Sequence, residues 1–165
     1  MKNAKKTSCI PVIICLCLTL IIITLTNNEV IASSEKDNSL IYSKVIEDLL
    51  NKRVLIINKA LYTNNSQNIL NKLKSIETNN ILTEDLKFLE KNKDKKTDYP
   101  YIHKVKVNKL LNINKSSSKL KVKALTEWKI SYLYKDTKEK YYMNIELEKK
   151  GKKYFISSIE HMINK

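Results

Sequence analysis

The chain has 165 residues, with 31 lysines and arginines against 17 carboxylates and a formal net charge of +14. That length holds one domain and an appendage, and leaves no room for a two-domain enzyme. Gly151 is the only glycine, which excludes the clustered glycines of phosphate-cradling loops and dinucleotide-binding turns.

Residues 1–32 differ in character from the rest. Lys2, Lys5 and Lys6 precede an uncharged stretch from Thr7 to Asn28, whose apolar centre runs from Ile10 to Leu25. A basic start, an apolar middle and small residues at a cut site make a secretory signal. Val30-Ile31-Ala32 supplies that site, with the cut between Ala32 and Ser33. An uncleaved membrane anchor through residues 7–28 also fits, because about 20 helical residues span a bilayer. Both readings leave the three lysines inside and everything after them outside. The expected location is therefore extracytoplasmic: secreted, or single-pass with a cytoplasmic amino terminus.

Cys9, Cys15 and Cys17 all fall within the apolar stretch, so the chain from Ser33 onward has no thiol. Cysteine catalysis, thiolate metal sites and disulfides are thereby excluded from the exported part. Ile14 and Leu16 stand before Cys15 and Cys17, where a lipoprotein signal needs a small residue.

Residues 33–39 read as a polar linker and residues 40–165 as the domain. Ile41, Val45, Ile46, Leu49, Leu50, Ile56, Ile57, Ala60 and Leu61 recur near the helical period, which predicts a long helix over 40–62. Asn38 or Ser39 is expected to cap it, and Asn64-Asn65 to end it. A second helix is expected over 67–77, with Ile69, Leu70, Leu73 and Ile76 on one face and Ser66 as cap. A third is expected after Thr83, where Glu84 and Asp85 suit the positive end of a helix dipole. Tyr99-Pro100 then breaks any helix.

Beyond Pro100 the period changes from 3.6 to 2. Tyr101, His103, Val105, Val107, Leu111 and Ile113 share one side of a first strand. In the next, Leu120, Val122, Ala124, Thr126, Trp128, Ile130, Tyr132 and Tyr134 oppose a lysine-rich face, the signature of an antiparallel strand with one dry side. A third strand is expected over 141–149 and a fourth over 154–162. Between them Lys150-Gly151-Lys152 offers a residue at ease with positive φ for a tight hairpin. Helices followed by consecutive strands predict an α+β fold: a long helix and two short ones packed on a curved four-stranded antiparallel sheet.

From Leu40 to Met162 this layout resembles the NTF2-like, cystatin-like superfamily. The closing stretch 141–156 is similar to the last hairpin of many exported bacterial members: an apolar strand, a lysine–glycine turn and an aromatic–aliphatic strand. The resemblance implies a cone-shaped domain, which serves binding modules, assembly platforms and a minority of enzymes, so it implies no activity by itself. VirB8-like components of conjugation and secretion machines share the sequence layout of basic tail, membrane helix and exported domain.

Candidate chemistry is sparse. Tyr101, His103, Trp128, Tyr132 and Tyr141 are the candidate lining of a pocket between sheet and long helix, suited to an apolar ligand with a polar tip. Plain core packing is the competing reading. For His103 a satisfied histidine at the sheet surface or rim is the competing reading, and His161 is expected to be exposed. No histidine–carboxylate spacing suits a metal, and no cofactor is expected. Glu146 and Glu148 share the wet face, where cross-strand ion pairs with lysines account for them. Residues 33–165 hold 28 lysines and arginines against 16 carboxylates, yet Arg53 is the only arginine. Nucleic-acid readers lean on arginine forks, so nucleic acid is not an expected partner. Anionic lipid headgroups or cell-wall polymers would draw the lysines instead. The expected function is a noncatalytic exported module that binds a protein or small ligand. The alternatives are a structural component of a membrane-spanning machine and a small enzyme using His103 with the tyrosines.

Overall fold

A computed structural model describes residues 38–62, 68–92 and 99–162. The expected signal or anchor, its cut at Ala32–Ser33, most of the linker and the proposed Ser66 cap lie outside the described residues. Among those described, no helix is long and apolar enough to cross a membrane.

The unit Ile41–Lys165 is an α+β domain in which three helices precede four strands. Helix α1 covers 38–62, so Asn38 and Ser39 are already helical rather than capping. Its buried stripe is Tyr42, Ile46, Leu49, Leu50, Val54 and Leu61, while Ile41 and Leu55 face solvent. Helix α2 is only Ile69–Lys74, a single turn and a half, and it starts from Asn68 in the left-handed conformation at φ 76°. Helix α3 spans Asn79–Asn92, beginning several residues before the expected start. The Thr78 carbonyl accepts from the Leu82 amide, which opens the helix there and buries Ile81 and Leu82. Asp85 consequently sits inside the helix, not in its first turn.

The strands are β1 (Tyr101–Lys115), β2 (Lys119–Tyr132), β3 (Lys135–Lys150) and β4 (Lys153–Met162). They pair antiparallel in chain order, an up-and-down meander. Alternation along β2 holds without a break from Leu120 to Ile130, and every second side chain is buried. Strand β3 starts six residues before the expected Tyr141, because residues 135–140 carry almost no apolar signal and are recruited by pairing with β2. Leu133-Tyr134 forms the two-residue turn between them, so Tyr134 is 93% exposed rather than part of the dry face. The β3–β4 turn is Gly151-Lys152, with Gly151 at φ 62°, as a tight hairpin opening on glycine requires.

Strand β1 departs from simple alternation. Its register slips between Ile102 and Lys104, between Val107 and Lys109, and between Leu110 and Asn112. Each slip places an extra residue (His103, Asn108, Leu111) in a bulge and reverses the parity beyond it. Ile102, Val105, Val107 and Leu110 therefore face the core, whereas Leu111 is exposed.

One apolar cluster lies between α1 and the inner sheet face, built around Ile46, Leu50, Leu120, Met143, Ile145, Leu147 and Ile156. Burying such a side chain contributes about 1.5–3 kcal/mol. A smaller cluster of Ile69, Leu73 and Leu82 joins α2 and α3 to Ile56 and Ala60 of α1. Every buried member of both clusters lies between Tyr42 and Ile156, so the domain carries its whole described core without residues 1–37.

Candidate functional site

The five residues expected to line one pocket are divided between the two sheet faces. Trp128, Tyr132 and Tyr141 stand on the inner face at the end near the β2–β3 turn. Trp128 is buried, and its Nε1–H donates to Thr126 Oγ1 at 2.9 Å. Its ring meets Tyr141 edge-on at 6.3 Å, and His161 closes the group 5.2 Å from Tyr141. Tyr132 lies at the rim, 45% exposed.

Glu139, directly opposite Trp128 in the ladder, gathers the polar tips of this group. It accepts from Tyr132 Oη at 2.9 Å and Thr137 Oγ1 at 3.0 Å, and also from Tyr141 Oη. Those bonds hold the Glu139 carboxyl below its usual range. The Tyr141 phenol, bonded to that carboxylate and partly buried, is pushed up to about 12. Three hydroxyls on one carboxylate leave little capacity for a ligand there; the arrangement closes the end of the core.

Tyr101 and His103 belong to the other side. The bulge turns His103 toward Ser131, with Nε2 and Oγ 2.5 Å apart, and Tyr101 packs on its ring at 4.8 Å. The Ser131 hydroxyl donates to Asp136 Oδ1. Histidine, serine and aspartate thus form a chain with serine in the middle. A serine nucleophile needs the imidazole to take its proton and the carboxylate to orient the imidazole. Here the serine hydroxyl donates to the carboxylate instead, which leaves Oγ to accept from Nε2–H of His103. The order is that of a surface hydrogen-bond chain, with serine unactivated.

Among the described residues no helix covers the outer face of the sheet, and its polar side chains converge on a groove of about 400 Å³. Asn112 and Asn114 of β1, Lys121 of β2, Asn144 and Glu146 of β3 and Ser158 of β4 line it. Glu146 accepts Lys119 at 2.7 Å and Lys121 at 2.9 Å, which lowers its carboxyl below the ordinary range. The ion pairs expected of Glu146 are present, and Glu148 pairs with Lys150 at 3.6 Å.

Sequence patterning missed a buried charge cluster behind the sheet. Arg53 of α1 forks onto Asp85 of α3, Nε to Oδ2 at 2.8 Å and Nη2 to Oδ1 at 2.5 Å. Glu77, in the turn between α2 and α3, places Oε1 3.2 Å from the same Nε, whose hydrogen is spent on Asp85. Neither Glu77 carboxyl oxygen has a hydrogen-bond partner. Burial first, and the Asp85 carboxylate second, push the Glu77 carboxyl up to about 8, against the pull of Arg53. The signal in the sequence was Arg53 itself: a planar fork satisfies a buried carboxylate with two bonds where lysine offers a point charge. Among the described residues no cluster of histidine, cysteine or carboxylate side chains is arranged to hold a metal.

No family model matches the chain, and no curated protein matches it. Solved structures similar in part include these two. One is the intermembrane space region of the chloroplast protein ARC6, at TM-score 0.49 and 10% identity over 74% of this chain and 97% of that one. The other is a de novo designed β-sheet protein, at TM-score 0.35 and 13% identity over 72% of this chain and 88% of that one.

Proposed function

We propose that the chain is an exported, noncatalytic binding module of NTF2-like architecture, released by cleavage after Ala32 or held on the outer membrane face by residues 7–28. The observation that carries the reading is the outer sheet face, uncovered among the described residues, on which side chains from all four strands converge in one groove. An antiparallel sheet needs to bury only one side. Its free side is then available for recognition, with amide, hydroxyl, ammonium and carboxylate groups presented from rigid strands. The family reading is supported by the order of a long helix, two short ones and a meander closed by the Gly151 hairpin. Binding is favoured over catalysis because the best candidate groups are spent on one another: Glu139 on three hydroxyls, and Ser131 on Asp136.

Fractionating cells and measuring the mass of the mature protein tests the export reading. A mass beginning at Ser33 in the extracellular fraction, or the intact mass in the membrane fraction, is expected. Intact protein dissolved in the cytosol would overturn it. For the groove, amide shifts of Lys121, Asn144 and Ser158 are followed while envelope extract fractions are added. Shifts confined to these strands are expected, and shifts centred instead on Trp128 and Tyr141 would move the binding site to the inner face.

A further inference from the structure

We infer that the β2–β3 hairpin tip, together with a row of lysines behind it, forms a docking surface for an anionic lipid bilayer. The strand registers place Lys104 opposite Lys129 and Lys129 opposite Lys138, so three ammonium groups line up across three adjacent strands of the outer face. Like charges directly opposed in a sheet destabilise it. None of the three has an ion pair within 4.0 Å among the described residues, unlike Lys119 and Lys121 farther along β2. The surrounding segments, residues 101–106 and 127–140, hold six lysines and three carboxylates. Those carboxylates keep their charge and leave the segments at a net +3; Glu127 stands opposite Lys106 and Lys140, and Glu139 turns to the inner face opposite Trp128. The repulsion in this row is relieved when a negative surface faces it.

The tip supplies the second half of the recognition. Leu133 is 71% exposed and Tyr134 is 93% exposed, side by side in the turn. Exposing this pair gains nothing in water. At a bilayer interface the leucine is buried, and the tyrosine ring takes its preferred place at headgroup level. Four residues of extended strand separate Lys129 from Leu133, about 13 Å. With the tip sunk about 5–10 Å into the interface, a lysine side chain of ordinary length spans what remains to the headgroup phosphates. A soluble polyanion would satisfy the lysines and leave the apolar tip without a role, so the lipid surface is the partner that uses both features. This proposal adds a partner for the same outer face, at the end opposite the groove. Its failure would leave the groove and the export reading standing, since neither uses Lys104, Lys129, Lys138 or the tip.

The experiment is co-sedimentation of the polypeptide from Ser33 onward, which retains the whole described core, with vesicles of phosphatidylcholine alone or mixed with phosphatidylglycerol. Trp128 fluorescence confirms that each variant is folded. Binding is expected only to the anionic vesicles. The triple variant K104Q/K129Q/K138Q is expected to weaken it about 100-fold, at about fivefold for each lysine near a charged surface. The variant L133S/Y134S is expected to weaken binding to the same anionic vesicles at least about tenfold, from the lost apolar burial. Soluble polyphosphate is added as a competitor. Equal binding to neutral vesicles, wild-type binding by either variant, or binding of polyphosphate but not vesicles would each overturn the proposal.

Discussion

Asn51 treats Val105 as a neighbouring strand would. Its side-chain Nδ2 donates to the Val105 carbonyl at 2.7 Å, and its Oδ1 accepts the Val105 amide at 2.9 Å. Four residues earlier on α1, Glu47 accepts the Val107 amide at 2.9 Å, and farther along Asn58 donates to the Ile102 carbonyl at 2.6 Å. Helix side chains at helical spacing thus pair the open edge of β1, which would otherwise offer unpaired backbone groups to another chain. At the opposite edge the turn before α3 does similar work: Ile156 of β4 donates to the Ile76 carbonyl and accepts from Thr78, both at 2.8 Å.

Asn51→Ala is therefore expected to destabilise the domain by about 2–3 kcal/mol, since it strands two polar groups of a fully buried residue. Urea unfolding measures it. Lys52→Ala, next to it but in an exposed pair with Asp48, is the control and is expected to stay within about 0.5 kcal/mol of wild type. Equal effects of the two would refute the bracketing role.

The cluster of Arg53, Asp85 and Glu77 predicts a pH dependence. An unfolded glutamate loses its proton near 4.5, whereas folded Glu77 keeps it to about 8. Between those values the folded state holds one more proton than the unfolded state, so this contribution falls as pH rises. It is whole below about 4.5 and gone above about 8. Glu77→Gln removes the ionisation, so its melting temperature is expected to decline less across this window and to exceed that of wild type by about 4 °C or more at the alkaline end. Parallel melting curves of the two proteins over the window would show that Glu77 is not the group responsible.

Gly151 gives a cleaner test of backbone conformation. A Cβ at this position would meet nothing within 4 Å, so only the φ of 62° opposes a side chain. Gly151→Ala is expected to cost about 1–2 kcal/mol and Gly151→Asn less, because asparagine tolerates the left-handed region. Thermal unfolding of the pair decides it, and an alanine variant as stable as wild type would place the turn in another conformation.

The fold class was readable because two periods, 3.6 and then 2, each ran long enough to fix an element and its dry face. Strand β2 shows this best, since no bulge interrupts it between Leu120 and Ile130. Strand β1 was misread for the converse reason: three bulges shift which residues face inward, and a bulge depends on pairing with a partner that local sequence does not display. Parity along the strand groups His103 with the pocket residues, whereas the bulge makes it the satisfied surface histidine of the competing reading, joined to the Ser131–Asp136 chain. Residues 135–140 of β3 carry almost no apolar signal and are strand because β2 templates them. Asp85 looked like a helix-start carboxylate, and only the earlier opening of α3 at Thr78 turned it toward Arg53.

Thr126 offers the sharpest link between a single hydrogen bond and the aromatic end of the core. It is fully buried, accepts the Trp128 indole N–H at 2.9 Å and donates to the Tyr141 carbonyl at 3.1 Å. Thr126→Val keeps the shape and removes both bonds, leaving a buried indole N–H without an acceptor. The expected cost is about 1–3 kcal/mol. Trp128 is the only tryptophan, so its emission reports on this site alone. The variant's emission maximum is expected to shift while far-ultraviolet circular dichroism stays unchanged, because the sheet ladder does not use the threonine hydroxyl. Thr126→Ser retains the hydroxyl and should keep the wild-type spectrum at a smaller loss of stability, from the missing methyl. If serine and valine variants shift the emission alike, the hydroxyl is not what holds the indole, and packing against Tyr141 and His161 must be sufficient.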